Sequence, residues 1–111
     1  MIDDNYLQFL IKFFEKECGQ RRYMVNSSYD EIEVVRGEKY YVYNQKTSIF
    51  LGYYGKELLK KCSPIIYEKD LIALMKEEFD ECGENELLVQ IYFNLAQLIH
   101  NKFIVCSIEQ E

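Results

Sequence analysis

The stretch EIEVVRGEKYYVYNQKTSIFL, residues 31–51, decides the fold class of this chain of 111 residues. Three runs within it alternate between the two sides of a strand: 31–35, 39–43 and 47–51. A side-chain period of two is typical of β-strands. Arg36-Gly37 and Asn44-Gln45-Lys46 separate the runs with residues typical of tight turns. The stretch therefore predicts an antiparallel meander of three strands, and a further short strand is predicted over 22–26.

Helical periodicity appears on both sides of this meander. Apolar residues recur every three or four positions in four segments, which is typical of helices. These segments are one that ends at Gly19, then 56–61, 68–82 and 85–100. The apolar run 103–108 predicts a closing strand that adds to a sheet edge. We therefore predict a single α+β domain over residues 1–111. Its antiparallel sheet of three to five strands packs against an N-terminal helix and a C-terminal pair of helices.

The charge balance argues against one class of partner. Nineteen Asp and Glu outweigh thirteen Lys and Arg, and the net charge is −6. The longest basic clusters are Arg21-Arg22 and Lys60-Lys61, too short for the basic stripe that a nucleic-acid binder presents to phosphates. The acidic balance favours a basic protein partner, or serves solubility alone. No direct binding of nucleic acid is expected.

The cysteines and the N-terminus predict a reducing compartment. Cys18, Cys62, Cys82 and Cys106 are widely spaced, and no CxxC pair or Cys/His cluster is present, so neither zinc nor another cofactor is predicted. The first residues lack the basic region and cleavage site of a signal peptide. The longest uncharged run, 87–101, contains several polar residues and is too short to cross a membrane. We expect a cytoplasmic protein with reduced, mostly buried cysteines.

Six carboxylates fall within ten residues at the junction of the last two predicted helices: Glu77, Glu78, Asp80, Glu81, Glu84 and Glu86. A calcium-binding EF-hand loop requires Gly at its sixth position and Glu at its twelfth. Counted from Asp80, Gly83 is fourth and the apolar stripe resumes at Leu87, so no metal site is predicted. Two interpretations stay open, a solvated turn between helices and a docking surface for a basic partner.

Exposed tyrosines extend the predicted docking surface. By strand alternation, Tyr41 and Tyr43 point away from Tyr40 and Val42, and we expect them at the surface beside Glu31, Glu33 and Lys39. Tyr53-Tyr54, near Gly52 and Gly55, is predicted to form a loop contact. The predicted partner-binding residues are Glu77, Glu78, Asp80, Glu81, Glu84, Tyr41, Tyr43, Tyr53 and Tyr54.

Catalysis has little support in the sequence. His100 is the only histidine, it lies near a helix C-terminus, and no phosphate loop, GxSxG or HExxH motif is present. We predict that the protein is not an enzyme. The enzyme alternative requires a pocket that encloses His100 with a cysteine or a carboxylate.

A small, acidic, tyrosine-rich chain without a catalytic constellation resembles bacterial immunity proteins and antitoxins in composition. The resemblance implies an inhibitor that occludes the cleft of a basic toxin. A nuclease fits best, since its groove already carries Lys and Arg for phosphates. A viral inhibitor of a host defence nuclease would use the same chemistry. A third alternative is a homo-oligomeric structural or adaptor subunit, for example a homodimer through Phe9 and Phe13 of the first helix.

Overall fold

The computed structural model describes residues 21–26 and 28–108 of the chain. It contains the following elements in chain order: β1 (Arg21–Val25), β2 (Asp30–Val35), β3 (Lys39–Tyr43), β4 (Ser48–Leu51), α1 (Tyr53–Lys61), β5 (Ile65–Tyr67), α2 (Glu68–Glu78), α3 (Glu84–His100) and β6 (Ile104–Ile108). The predicted N-terminal helix, with Phe9, Phe13 and Cys18, lies outside the described residues.

The strands form two sheets, each with three antiparallel strands. The strand order is β5-β1-β6 in the first sheet and β2-β3-β4 in the second sheet. The prediction of a mixed α+β fold with antiparallel pairing is confirmed, whereas the prediction of one sheet is wrong. The reason is that β1 pairs with β5 and β6, both far along the chain, instead of joining the neighbouring meander. As predicted, β6 lies at a sheet edge.

The meander has the predicted strands and turns, but its register corrects one expectation. Residues directly opposite each other in an antiparallel pair share a face of the sheet. Glu31 lies opposite Val42 and Glu33 opposite Tyr40, so both acids belong to the face of the buried side chains. Tyr41 instead lies beside Ile32 and Phe50, and Tyr43 beside Asp30 and Ser48.

The helix boundaries differ from those predicted around two aromatic residues. Gly52 is extended and α1 begins at Tyr53, three residues before the predicted start, so Tyr53 and Tyr54 belong to a helix and not to a loop. Helix α2 ends at Glu78, because Phe79 leaves helical geometry with φ −115° and ψ 50°. Gly83, which was predicted to end this helix, is instead the extended N-cap residue that precedes α3.

The core lies between the helices and one face of each sheet. Its fully buried members include Tyr23, Val42, Leu58, Leu59, Leu71, Met75, Ile91, Leu95, Leu98 and Phe103. Helices α1 and α3 approach each other closely at Gly55. A Cβ there would lie 2.6 Å from Oδ1 of Asn94, whose Nδ2 donates to the carbonyl of Gln90. Only glycine therefore suits this crossing without rearrangement.

A buried polar network ties β1 to the first turn of α2. Tyr23 donates its hydroxyl to Oε1 of Glu68 at 2.6 Å, and Arg21 donates to the same oxygen at 3.3 Å. All three side chains are buried. Burial and the neighbouring carboxylate raise the pKa of Tyr23, so this hydroxyl stays protonated and remains a donor.

The cysteines in the described part of the chain are free thiols. Cys62 is buried, and burial raises its pKa to about 12. Cys82 and Cys106 are half-buried, so among these three described cysteines the expectation of burial holds fully only for Cys62. No helix among the described residues is long and apolar enough to cross a membrane.

Candidate functional site

The acidic residues surround the short connection between α2 and α3. Glu77 and Glu78 lie in the last turn of α2, Asp80 and Glu81 in the connection, and Glu84 with Glu86 in the first turn of α3. Because α2 ends at Glu78, only two acids lie at its C-terminal end, where the sequence placed four. The two acids of α3 lie at a helix N-terminus, where negative charge is stabilising.

Two of these carboxylates are neutralised within the protein. Lys61 of α1 donates to Glu78, and this hydrogen bond holds the pKa of Glu78 below its usual value. Lys76 donates to Oε1 of Glu84 at 2.7 Å and lowers the pKa of that carboxyl in the same way. The first pair joins α1 to α2 and the second joins α2 to α3, so both stabilise the packing of neighbouring helices.

The other four carboxylates are Glu77, Asp80, Glu81 and Glu86. All four are exposed, and within residues 21–26 and 28–108 none of them forms an ion pair. No three Asp, Glu, His or Cys side chains in this part of the chain are grouped so as to hold a metal ion. The connection and the helix ends beside it therefore present four carboxylates to solvent without an ion-pair partner among the described residues.

Aromatic rings lie next to this charge. Phe79 begins the connection, and its ring centroid is 4.5 Å from that of Tyr54 and 5.6 Å from that of Tyr53, the latter pair edge to face. Tyr53 is 39% exposed, whereas Tyr54 and Phe79 are half-buried. A hydrogen bond with Cys82 raises the pKa of Tyr54.

We call this region the acidic-aromatic surface. It consists of Tyr53, Tyr54, Glu77, Phe79, Asp80, Glu81 and Glu86. The start of α1 thus brings two of the predicted tyrosines to the predicted acids. Phe79 was not among the predicted site residues, since its position in the apolar stripe of α2 indicated a core residue.

The other two predicted tyrosines lie elsewhere. Tyr41 and Tyr43 stack on each other with centroids 5.3 Å apart, on the face of the second sheet that points away from the core. Phe50 continues this group, 5.1 Å from Tyr41. Both tyrosines are half-buried. The predicted binding residues therefore form two groups, on different elements of the fold.

His100 lines an open cleft of about 1100 Å³ at the C-terminal end of α3. Asp30, Tyr29 and Tyr43 line the same cleft, with several amide side chains and two lysines, and none of the described cysteines does. The cleft thus contains the imidazole and a carboxylate that the enzyme alternative requires. It does not include the acidic-aromatic surface.

No family model, curated protein or solved structure matches this chain.

Proposed function

We propose that the protein is a non-enzymatic inhibitor that acts in the cytoplasm and binds a basic protein through its acidic-aromatic surface. The observation that supports this proposal is that four exposed carboxylates without an ion pair among the described residues flank Phe79, which packs against the exposed ring of Tyr53. Charge and aromatic area are the two components that a specific interface with a basic partner uses.

The carboxylates would supply attraction at long range. Glu77, Asp80, Glu81 and Glu86 are close in sequence and the whole chain carries a net charge of −6. A concentrated negative potential raises the rate of association with a positive cleft and selects against acidic partners. Lys61 and Lys76 already bind Glu78 and Glu84, so these two lysines do not neutralise the other four carboxylates.

The aromatic residues would supply the buried anchor. Tyr53 combines an exposed ring with a packed position, since its ring and that of Phe79 meet edge to face. Rigid tyrosines lose little conformational entropy on binding and are frequent among the residues that dominate interface energies. The surrounding carboxylates would form the polar rim.

A solvated turn is the competing interpretation, and the position of Glu77 at the end of α2 favours a docking surface. Glu77 is exposed in the last helical turn, where its charge faces the negative end of the helix dipole. Such a position costs a few tenths of a kcal/mol in the free protein. A basic partner would offset that cost, whereas solvent does so only weakly.

A nuclease toxin fits this surface best among basic partners. A nuclease groove carries Lys and Arg side chains to hold phosphates, and an acidic surface can occupy the same groove. The compositional resemblance to immunity proteins and antitoxins points in the same direction. A viral inhibitor of a host defence nuclease would bind by the same contacts.

The proposal is tested by capture from lysate of the cells that make the protein. Wild type is immobilised beside the triple variant Glu77→Gln, Asp80→Asn, Glu81→Gln, and bound proteins are eluted with a salt gradient and identified by mass spectrometry. We expect wild type to retain a basic protein until high salt. The amount of this protein captured by the triple variant should be at least tenfold lower. The purified partner is then assayed for nuclease activity with and without wild type.

The control is a second triple variant, Glu31→Gln, Glu38→Gln, Asp70→Asn. It removes the same number and kinds of charge from exposed residues outside the acidic-aromatic surface. Equal capture by all three proteins, or equal loss in both variants, would contradict the proposed site. Capture of a partner whose enzymatic activity is unaffected by saturating wild type would contradict the inhibitory role.

A further inference from the structure

The second sheet has an exposed face that the acidic-aromatic surface does not include. We call it the open sheet face, and its residues are Asp30, Ile32, Val35, Lys39, Tyr41, Tyr43 and Phe50. Ile32 is 51% exposed and Phe50 is 50% exposed. A solvent-facing side of an antiparallel sheet is normally polar, so an aromatic one indicates an interaction surface.

The apolar residues of this face form one row across the strands. Tyr41 in β3 lies directly opposite Ile32 in β2 and Phe50 in β4. The row therefore runs perpendicular to the strands at the middle of the sheet. A second sheet can pack on such a row at the usual distance of about 10 Å between sheets.

Opposite charges lie at the two ends of the same face. Lys39 begins β3, and Asp30 lies beside Tyr43 where β3 ends. Both are exposed, and neither forms a salt bridge among the described residues. The Lys39 ammonium instead lies over the Phe50 ring, 4.7 Å from its centroid.

We propose that the open sheet face binds the same face of a second copy of the chain. A two-fold axis along the Ile32–Tyr41–Phe50 row reverses the strand direction in the second copy. It places each row against its equivalent, and brings Lys39 of each copy over Tyr43 and beside Asp30 of the other. The face is thus complementary to itself in charge as well as apolar area, as an isologous interface requires.

Pairing of two copies through the β2 edge of the sheet is less favourable. β2 is an edge strand, but it carries Asp30, Glu31 and Glu33, and two antiparallel β2 strands would bring these acids together. Like charges on facing strands are destabilising. The charge pattern therefore favours face-to-face packing over pairing through the β2 edge.

The test exchanges the two charges. Sedimentation equilibrium over a dilution series should show wild-type mass rising from 13.4 kDa toward twice that value. Asp30→Lys alone and Lys39→Glu alone place like charges together at both ends of the dimer. Each should raise the dissociation constant about tenfold. The double variant restores both pairs and the wild-type net charge, and should return to within about threefold of wild type.

Glu31→Lys is the matched control for Asp30→Lys. It makes a similar charge change one residue away, on the other face of β2, and should not weaken the dimer. In edge-to-edge pairing it would strengthen association. Circular dichroism establishes that each variant is folded. If one is not, concentration-dependent NMR shifts of Ile32, Tyr41 and Phe50 in wild type test the same interface. A wild type that stays monomeric, shifts confined to other residues, or a folded double variant without recovery would each overturn the proposal.

Discussion

Strand β1, at the centre of the first sheet, contains two fully buried side chains, whereas every residue of β2, at the edge of the second sheet, is exposed. The two strands are nearly equal in length and both carry charged residues. In β1 the charge of Arg21 is buried against Glu68. In β2 the charges of Asp30, Glu31 and Glu33 remain at the surface. Charged residues of the strands therefore serve folding in the first sheet and are available for association in the second.

The difference arises from what covers each strand. β1 has a hydrogen-bonded neighbour on both sides and packs under α2, and its Arg21 and Tyr23 side chains are shielded from water. β2 has one neighbour, and on its core-side face lie Glu31 and Glu33, which are both exposed. Loss of a charge should be costly in the first case and nearly neutral to folding in the second.

The largest expected effect is in the buried network. Glu68→Leu removes the carboxylate that accepts hydrogen bonds from both Arg21 and Tyr23. It leaves a buried guanidinium without this counter-charge. Removal of one partner of a buried ion pair costs about 3 kcal/mol or more. Urea denaturation should show this loss in the free energy of unfolding, with an unchanged m-value.

Tyr23→Phe is the control for this prediction. It removes one neutral hydrogen-bond donor and retains the ring, so we expect a loss of about 1 to 2 kcal/mol. A loss below about 1 kcal/mol for Glu68→Leu would show that the network contributes specificity and not stability. The difference in stability contribution between β1 and β2 would then come from the packing of apolar side chains and not from the buried ion pair.

The next prediction compares the two faces of the second sheet. Val42 is fully buried, and Val42→Ala should destabilise the protein by about 2 kcal/mol through lost burial and a residual cavity. Ile32 points to the other face, and Ile32→Thr, which keeps a β-branched side chain, should change stability by less than about 0.5 kcal/mol. Thermal unfolding at low protein concentration measures both effects on the monomer. Equal losses would mean that the open sheet face is covered within the monomer.

The meander shows how much of the fold a local pattern determines. Its strands follow from alternation and turn residues between neighbours in sequence, so β3 is predicted to the residue. The division into two sheets could not be predicted, because β1 pairs with β5 and β6. Both strands are far from β1 in the sequence, and local patterns do not indicate such pairing. The three-residue strand β5 is also too short for its period to be recognised.

The binding residues show the same limit. Carboxylates near a helix junction are visible in the sequence, and so are the tyrosines of α1. That α1 brings Tyr53 and Tyr54 to Phe79 depends on tertiary packing, which periodicity does not encode. The same applies to Lys61 and Lys76, whose ion pairs remove Glu78 and Glu84 from the free charge of the turn.

The smallest predicted effect separates neighbouring acids of α2. Glu78 is held by Lys61, and its pKa is lowered, so it stabilises the folded state only while ionised. This contribution is present above the unfolded pKa of about 4.5 and is lost as pH falls through the lower folded value. The pair is partly exposed, so Glu78→Gln should lower the free energy of unfolding by about 0.5 kcal/mol at neutral pH and by nothing in strong acid.

Glu77→Gln is the adjacent control, and its effect should have the opposite sign. Glu77 forms no ion pair with a described residue and faces the negative end of the α2 dipole, so neutralising it should stabilise the free protein by a few tenths of a kcal/mol at neutral pH. The gain should shrink at high salt, because screening weakens the dipole interaction. Urea denaturation of both variants at neutral and acid pH measures this pair of effects. If Glu77→Gln destabilises the protein as Glu78→Gln does, Glu77 contributes to the fold itself. The acids of the acidic-aromatic surface would then behave like the charges of the first sheet, and the electrostatic case for a basic partner would lose its support.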